Sequence, residues 1–365
     1  MAEQSGLSQH TIKHFALHRL GGVEWRVISD IEAGVIAITE VEEAVLTRFV
    51  ARPDWPHAVV TFFVLNDLSA LQRQLNTLAA QAPIGLTGAS VPFDASGALP
   101  PGGVEGLAQR TVVNLYDLAN AATCTVFVNK TAMEKAGYWG DRLAETALLA
   151  HEHAHPLVEN ATVRASRNIA VTVRLDSDAP LGQSADTPWR ERLQGIVQAL
   201  LDSLVRYAPR ELFTNDMVIE IGFAAALFHL DRRTIELTAS ALEGRAALAA
   251  GLRAEPTLTD TGRAAFLALA DYQAHLNLAF EVAAFQRMGE ERFAEELKAL
   301  LQQRVFALLP ADTERVFTAL TNLYKTLPAD HTPATLVVFA QAVAEILASA
   351  LHAYGVRLEV NTAIV

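Results

Sequence analysis

The sequence predicts an α+β protein: a mixed sheet with a few helices first, then a mainly α-helical region. Three observations carry this. Short β-branched and aromatic runs bounded by turn residues fill the first third. From about Trp189 onward, apolar residues recur at helical spacing in long segments separated by Pro, Gly or Asp. A chain of 365 residues with 51% hydrophobic content is also long enough to bury a large core. The expected division is an α+β region over 1–188 and a helical region over 189–365, the latter completing a cleft.

The first strands are expected at "GVEWRVISD", "GVIAITEVE" and "HAVVTFFVLND". A helix is expected at "LSALQRQLNTLAAQ", where Leu68, Leu71, Leu75 and Leu78 recur at helical spacing. From Ala82 to Gln109 the chain is rich in Gly, Pro and Ser without apolar period, a long loop that either covers a cleft or forms a surface insertion. "TVVNLYDL" and "ATCTVFVNKT" read as two further strands. "YWGDRLAETALLAHEHAH" reads as a helix with Asp141 as N-cap, ended by Pro156, which lacks an amide hydrogen and restricts His155. "NIAVTVRLDSD" follows as a strand. Among the later helices, the segment beginning "NDMVIEIGFAAALFHLD" is too long for one ordinary helix and is expected to break near Asp231. No fixed-period repeat points to a solenoid.

Composition excludes several function classes. Net charge is −12, and no run of lysines and arginines could track a phosphate backbone, so nucleic acid is not an expected partner. The single cysteine, Cys124, cannot form an intramolecular disulfide or a multi-thiolate zinc site and reads as a small buried residue. The polar start "MAEQSGLSQHTIKH" has no secretory pattern, so a cytoplasmic location is expected. "TLVVFAQAVAEILASALHAYG" is broken by Gln341 and Glu345, so no membrane span is expected. "GLTGAS" lacks the lysine of a phosphate-binding loop.

The chemistry concentrates in "LAETALLAHEHAHPLVEN". His151, Glu152 and His155 satisfy H-E-x-x-H on an expected helix, where two histidines four apart share a face and can reach one ion. With 11 histidines in the chain, chance placement yields on the order of 0.02 such matches, so the motif calls for an explanation. Glu152 and His155 also match half of a di-iron carboxylate motif, but no other Glu has a His three residues on.

A strand, "TCTVFVNK", followed by a helix bearing "HEHAH", resembles the zincin metallopeptidases over about residues 111 to 160. The resemblance implies a zinc ion held by His151 and His155, Glu152 as general base and proton shuttle, a peptide or protein substrate, and a strand from Thr125 to Asn129 that pairs with it. The Gly-bearing continuation that brings a third histidine in metzincins is absent, because "PLVENATVRAS" follows His155. This points to a gluzincin-like arrangement with a later Glu as third ligand. Glu220, a carboxylate in the apolar "NDMVIEIGFAAALFHLD", is the first choice. Glu159 is the second: on a continued helix it would lie about 6 Å beyond His155 along the axis. His153 points to another side of the helix and reads as structural. His229, His275, Tyr207, Tyr272 and Tyr324 are candidates for stabilising an oxyanion, with a satisfied core role the commoner explanation for the histidines. Two other readings stand beside the enzyme: a catalytically silent zinc-binding or helical interaction module, and a helical protein with "HEHAH" as a surface patch.

Overall fold

The computed structural model describes residues 12–73, 108–116, 121–175, 188–238, 241–329 and 331–365. Most of the long Gly/Pro-rich loop expected at 82–109 lies outside them. The chain is α+β, and divides into two compact units, one comprising Met1–Asn160 with Ile221–Leu227, the other Ala161–Glu220 with Phe228–Val365.

The first unit is built on a five-stranded mixed sheet of β1 (His14–Leu20), β2 (Val23–Ser29), β3 (Val59–Leu65), β4 (Val112–Tyr116) and β5 (Thr123–Asn129), in the order β1-β2-β3-β5-β4. β1 and β4 are antiparallel to their neighbours, and the β2-β3 and β3-β5 pairs are parallel. The register aligns Val27, Phe62, Val126 and Asn114 across one face, between the rows led by Trp25 and Ser29. All four are buried, so a polar side chain sits at the edge of an otherwise apolar row. The opposite face carries Phe63 stacked on Phe127, with ring centroids 4.9 Å apart, packed with Leu65, Leu68 and Leu71. Cys124 is buried on the inner face, where burial and the nearby Glu42 push its thiol well above the usual range.

This unit also holds the helices α1 (Val35–Val50), α2 (Lys130–Ala136) and α3, which begins at Arg142. "GVIAITEVE" is therefore helical, not a strand. Its β-branched residues favour a strand locally, but Val35, Ile38, Val41, Val45, Leu46 and Phe49 continue one helical stripe, and all six are buried. Of the helix expected after Leu68, residues 69–73 are helical and the rest lie outside the described residues. α3 starts as expected, with Asp141 Oδ1 accepting from the Ala144 N–H at 3.2 Å. It does not end at Pro156, and runs on to Arg167.

The second unit holds a two-stranded antiparallel sheet of β6 (Ile169–Leu175) and β7 (Leu358–Ile364) and a set of helices. Its first long helical run passes through α4 (Pro188–Asp202), a π-helical turn at Ser203–Tyr207, α5 (Ala208–Val218) and a second π-helical turn at Ile219–Phe223 before α6 (Ala224–Thr238). The run breaks at Gly222, whose φ of 98° is left-handed, and not near Asp231. α7 (Ala241–Ala254), α8 (Asp260–His275), α9 (Leu278–Arg287), α10 (Glu291–Arg304), α11 (Ala311–Lys325) and α12 (Pro333–His352) follow. Tyr324 on α11 is wholly buried and donates to the Leu204 carbonyl at 2.7 Å, and Tyr272 on α8 donates to Asp312 at 2.6 Å. Among the described residues two helical stretches, Pro188–Leu237 and Pro333–His352, are long and apolar enough to cross a membrane, and about half of the apolar window in each is buried within the protein.

Candidate metal centre

α3 sets His151 and His155 one turn apart, with ring centroids 4.6 Å apart and planes nearly perpendicular. Among the described residues one group of His, Cys, Asp and Glu side chains could hold a metal ion. It consists of His151, His155 and Glu211, whose ligand atoms all lie within 4.8 Å of one another. His155 and Glu211 are buried and His151 is half-buried. Two imidazoles and one carboxylate are the donor set of a three-ligand zinc site with an open position. Bonds of about 2.0–2.2 Å in a tetrahedral site put ligand atoms about 3.4 Å apart, so small side-chain rotations close the set.

The carboxylate of this group is Glu211, not Glu220. Glu220 lies in the π-helical turn after α5 and is exposed. A solvent-facing position accounts for a carboxylate there. By sequence Glu211 falls in "PRELFT", where Pro209 is a separator between helical segments. In the structure Pro209 lies inside one continuous helical run, just after the π-helical turn at Ser203–Tyr207, and the Leu204 carbonyl five positions before it accepts from Tyr324. The apolar spacing of Leu204, Ala208 and Leu212 runs through Pro209, and Ala208 to Asn215 are all buried. That uninterrupted period was the available signal. Arg210, also buried, has its Nε 3.8 Å from Glu211 Oε1. The side chain of Glu159 lies outside the described residues.

Glu152 follows His151 on α3 and is half-buried. Its Oε2 accepts the Asn114 backbone N–H at 2.9 Å, and its carbonyl accepts Asn114 Nδ2–H at 2.9 Å. On the far side of α3, His153 is fully buried and its Nε2 lies 2.8 Å from Glu42 Oε1 on α1, itself fully buried. His153 is thus structural, as expected. Trp55 packs edge-on against it at 5.8 Å, and His57 follows, its pKa lowered to about 4 chiefly by burial. His275 ends α8, buried, with its pKa likewise lowered to about 4 by burial, and His229 lies half-buried on α6. Neither belongs to the metal-ligating group. Tyr272 and Tyr324 are committed to the hydrogen bonds already described.

β5 lies between β3 and β4, so the expected pairing of Thr125–Asn129 with substrate is corrected. Among the described residues the sheet edge on this side is β4. Asn129 N–H donates to the Thr111 carbonyl, so residues 111, 113 and 115 face β5, and Val112, Asn114 and Tyr116 turn their backbone groups outward.

Comparison with protein-family models, with curated proteins and with solved structures returns no match.

Proposed function

We propose that the protein is a zinc-dependent peptidase, with His151, His155 and Glu211 as ligands and Glu152 as general base. The observation that carries the reading is a histidine, histidine and glutamate set whose ligand atoms lie within 4.8 Å of one another, with Glu152 the residue after His151 on the same helix. A zinc ion bound there supplies a Lewis acid and a water whose pKa falls to about 7. Glu152 receives the proton from the attacking water and passes it to the leaving amine. The outward backbone groups of Val112 on β4 can hydrogen-bond an extended peptide, which brings a peptide bond to the sheet edge beside α3.

The test is zinc content and peptide cleavage of Glu152→Gln beside the unaltered protein. Glu152→Gln is expected to keep zinc and lose cleavage by at least about 100-fold, as removal of a general base does. Cleavage unchanged in Glu152→Gln removes that residue from the mechanism. Zinc bound by the unaltered protein without hydrolysis of any peptide in a broad library points instead to a silent zinc-binding module.

A further inference from the structure

α3 continues through Pro156, and this has a consequence for the residue four positions earlier. A proline in a helix has no N–H to donate, so the carbonyl of residue i−4 loses its helical partner. Here that carbonyl belongs to Glu152. It is the group that Asn114 Nδ2–H reaches at 2.9 Å from β4. The same residue's backbone N–H, also at 2.9 Å, donates to the Glu152 carboxylate. One strand residue thus holds the proposed general base at both ends, main chain and side chain.

These are the directional bonds made to Glu152 itself, the His153–Glu42 contact being on the far side of α3. Along α3 the neighbouring buried side chains Ala144, Ala147, Leu149, Ala150 and Ala154 are apolar, and four of them are single methyl groups. Such contacts fill space without fixing how a helix turns about its axis. Asn114 is itself 7% exposed, in an inner row otherwise made of Val27, Phe62 and Val126. An amide in that place is costly to bury unless it is used.

We infer that Asn114 is a positioning residue for Glu152: from β4 it supplies the hydrogen bond that Pro156 takes out of α3, and so fixes the turn that aims the Glu152 carboxylate. The hydrogen bonds stand by themselves, whereas the catalytic consequence rests on the peptidase reading. The inference makes Asn114 and Pro156 interdependent. With alanine at 156 the helix regains an N–H for the Glu152 carbonyl, and the amide at 114 is no longer needed for it.

The experiment compares the unaltered protein, Asn114→Ala, Pro156→Ala and the double variant, measuring the unfolding midpoint, zinc content, and kcat and KM for a peptide substrate. Asn114→Ala is expected to lower the midpoint by about 3 °C, since it leaves a carbonyl without a partner. It is also expected to lower kcat about tenfold at unchanged zinc content, with KM within twofold. The double variant is expected to regain both, and recovery of folded protein in the double reads the same coupling should Asn114→Ala fail to fold. Losses that add, with no recovery when Pro156 is replaced, overturn the inference, as does an Asn114→Ala protein indistinguishable from the unaltered one. Recovery of the midpoint in a protein that binds no zinc and cleaves no peptide would instead retain the hydrogen-bond coupling and remove the peptidase reading together with its catalytic consequence.

Discussion

At the scale of single residues, exchanging the expected ligand Glu220 for Glu211 is the sharpest result, and it gives a direct test. Glu211→Gln is expected to weaken zinc binding by about 100-fold or more, because an anionic ligand becomes a neutral amide of the same shape. Glu220→Gln, altering an exposed carboxylate, is expected to leave zinc affinity within about twofold. Competition titration with a chelating dye reads both, and equal losses would unseat Glu211. The buried histidines give a prediction in pH. His57 and His275 keep pKa values near 4 in the folded protein, against 6.5 as the ordinary value. Between those values the unfolded chain takes up protons that the folded protein refuses. Their contribution is therefore present above about pH 6.5 and lost as pH falls towards 4. Urea unfolding of His275→Asn is expected to show a shallower loss of stability over that interval than the unaltered protein, and identical slopes would mean that His275 is not neutral when folded. H-E-x-x-H was legible because it is local, its geometry fixed by one helix. The third ligand was not, since a carboxylate's burial depends on which face the rest of the chain covers.

At the scale of elements, two prolines and one β-branched run account for most of the differences from expectation. Pro156 and Pro209 both lie within continuous helical runs, one with its orphaned carbonyl met from a strand, the other after a π-helical turn whose Leu204 carbonyl is met by Tyr324. "GVIAITEVE" alternates well enough to read as a strand, and only the stripe extending to Phe49 identifies the helix. β1 was missed because its own sequence, "HFALHRL", buries little, its order coming from pairing with β2. β7 was missed for the same reason, being half-exposed and defined by β6. The α1–α3 junction carries a further prediction. Glu42→Ala leaves the buried His153 Nε2 without its partner, and is expected to cost about 1–3 kcal/mol in unfolding free energy. Replacing both, as Glu42→Leu with His153→Leu, is expected to cost less than the single change, because no polar group is then left unmet. Denaturant melts of the two decide it, and a double variant less stable than Glu42→Ala would show that packing dominates there.

At the scale of the whole molecule, the order of elements and the α+β class were legible in composition and periodicity, which need no knowledge of long-range contacts. What was not legible is how a segment as short as Ile221–Leu227 comes to be grouped with residues before Asn160, since that depends on contacts remote in sequence. Within this grouping Arg48 donates to the Ile221 carbonyl at 3.0 Å and lies over Phe223. If zinc binds the folded chain alone, an excess of about 100 times its dissociation constant adds about 2.7 kcal/mol to global stability. A chelator titration followed by calorimetry is expected to lower the unfolding midpoint by several degrees, and a midpoint indifferent to zinc would argue against a native-state site. The chain's only thiol offers a different kind of access. Cys124 is shut into the inner face of the sheet, its ionisation suppressed, so alkylating reagents meet it only when β5 opens. Its labelling rate is therefore a built-in clock for opening of the first unit, read by mass without any engineered probe.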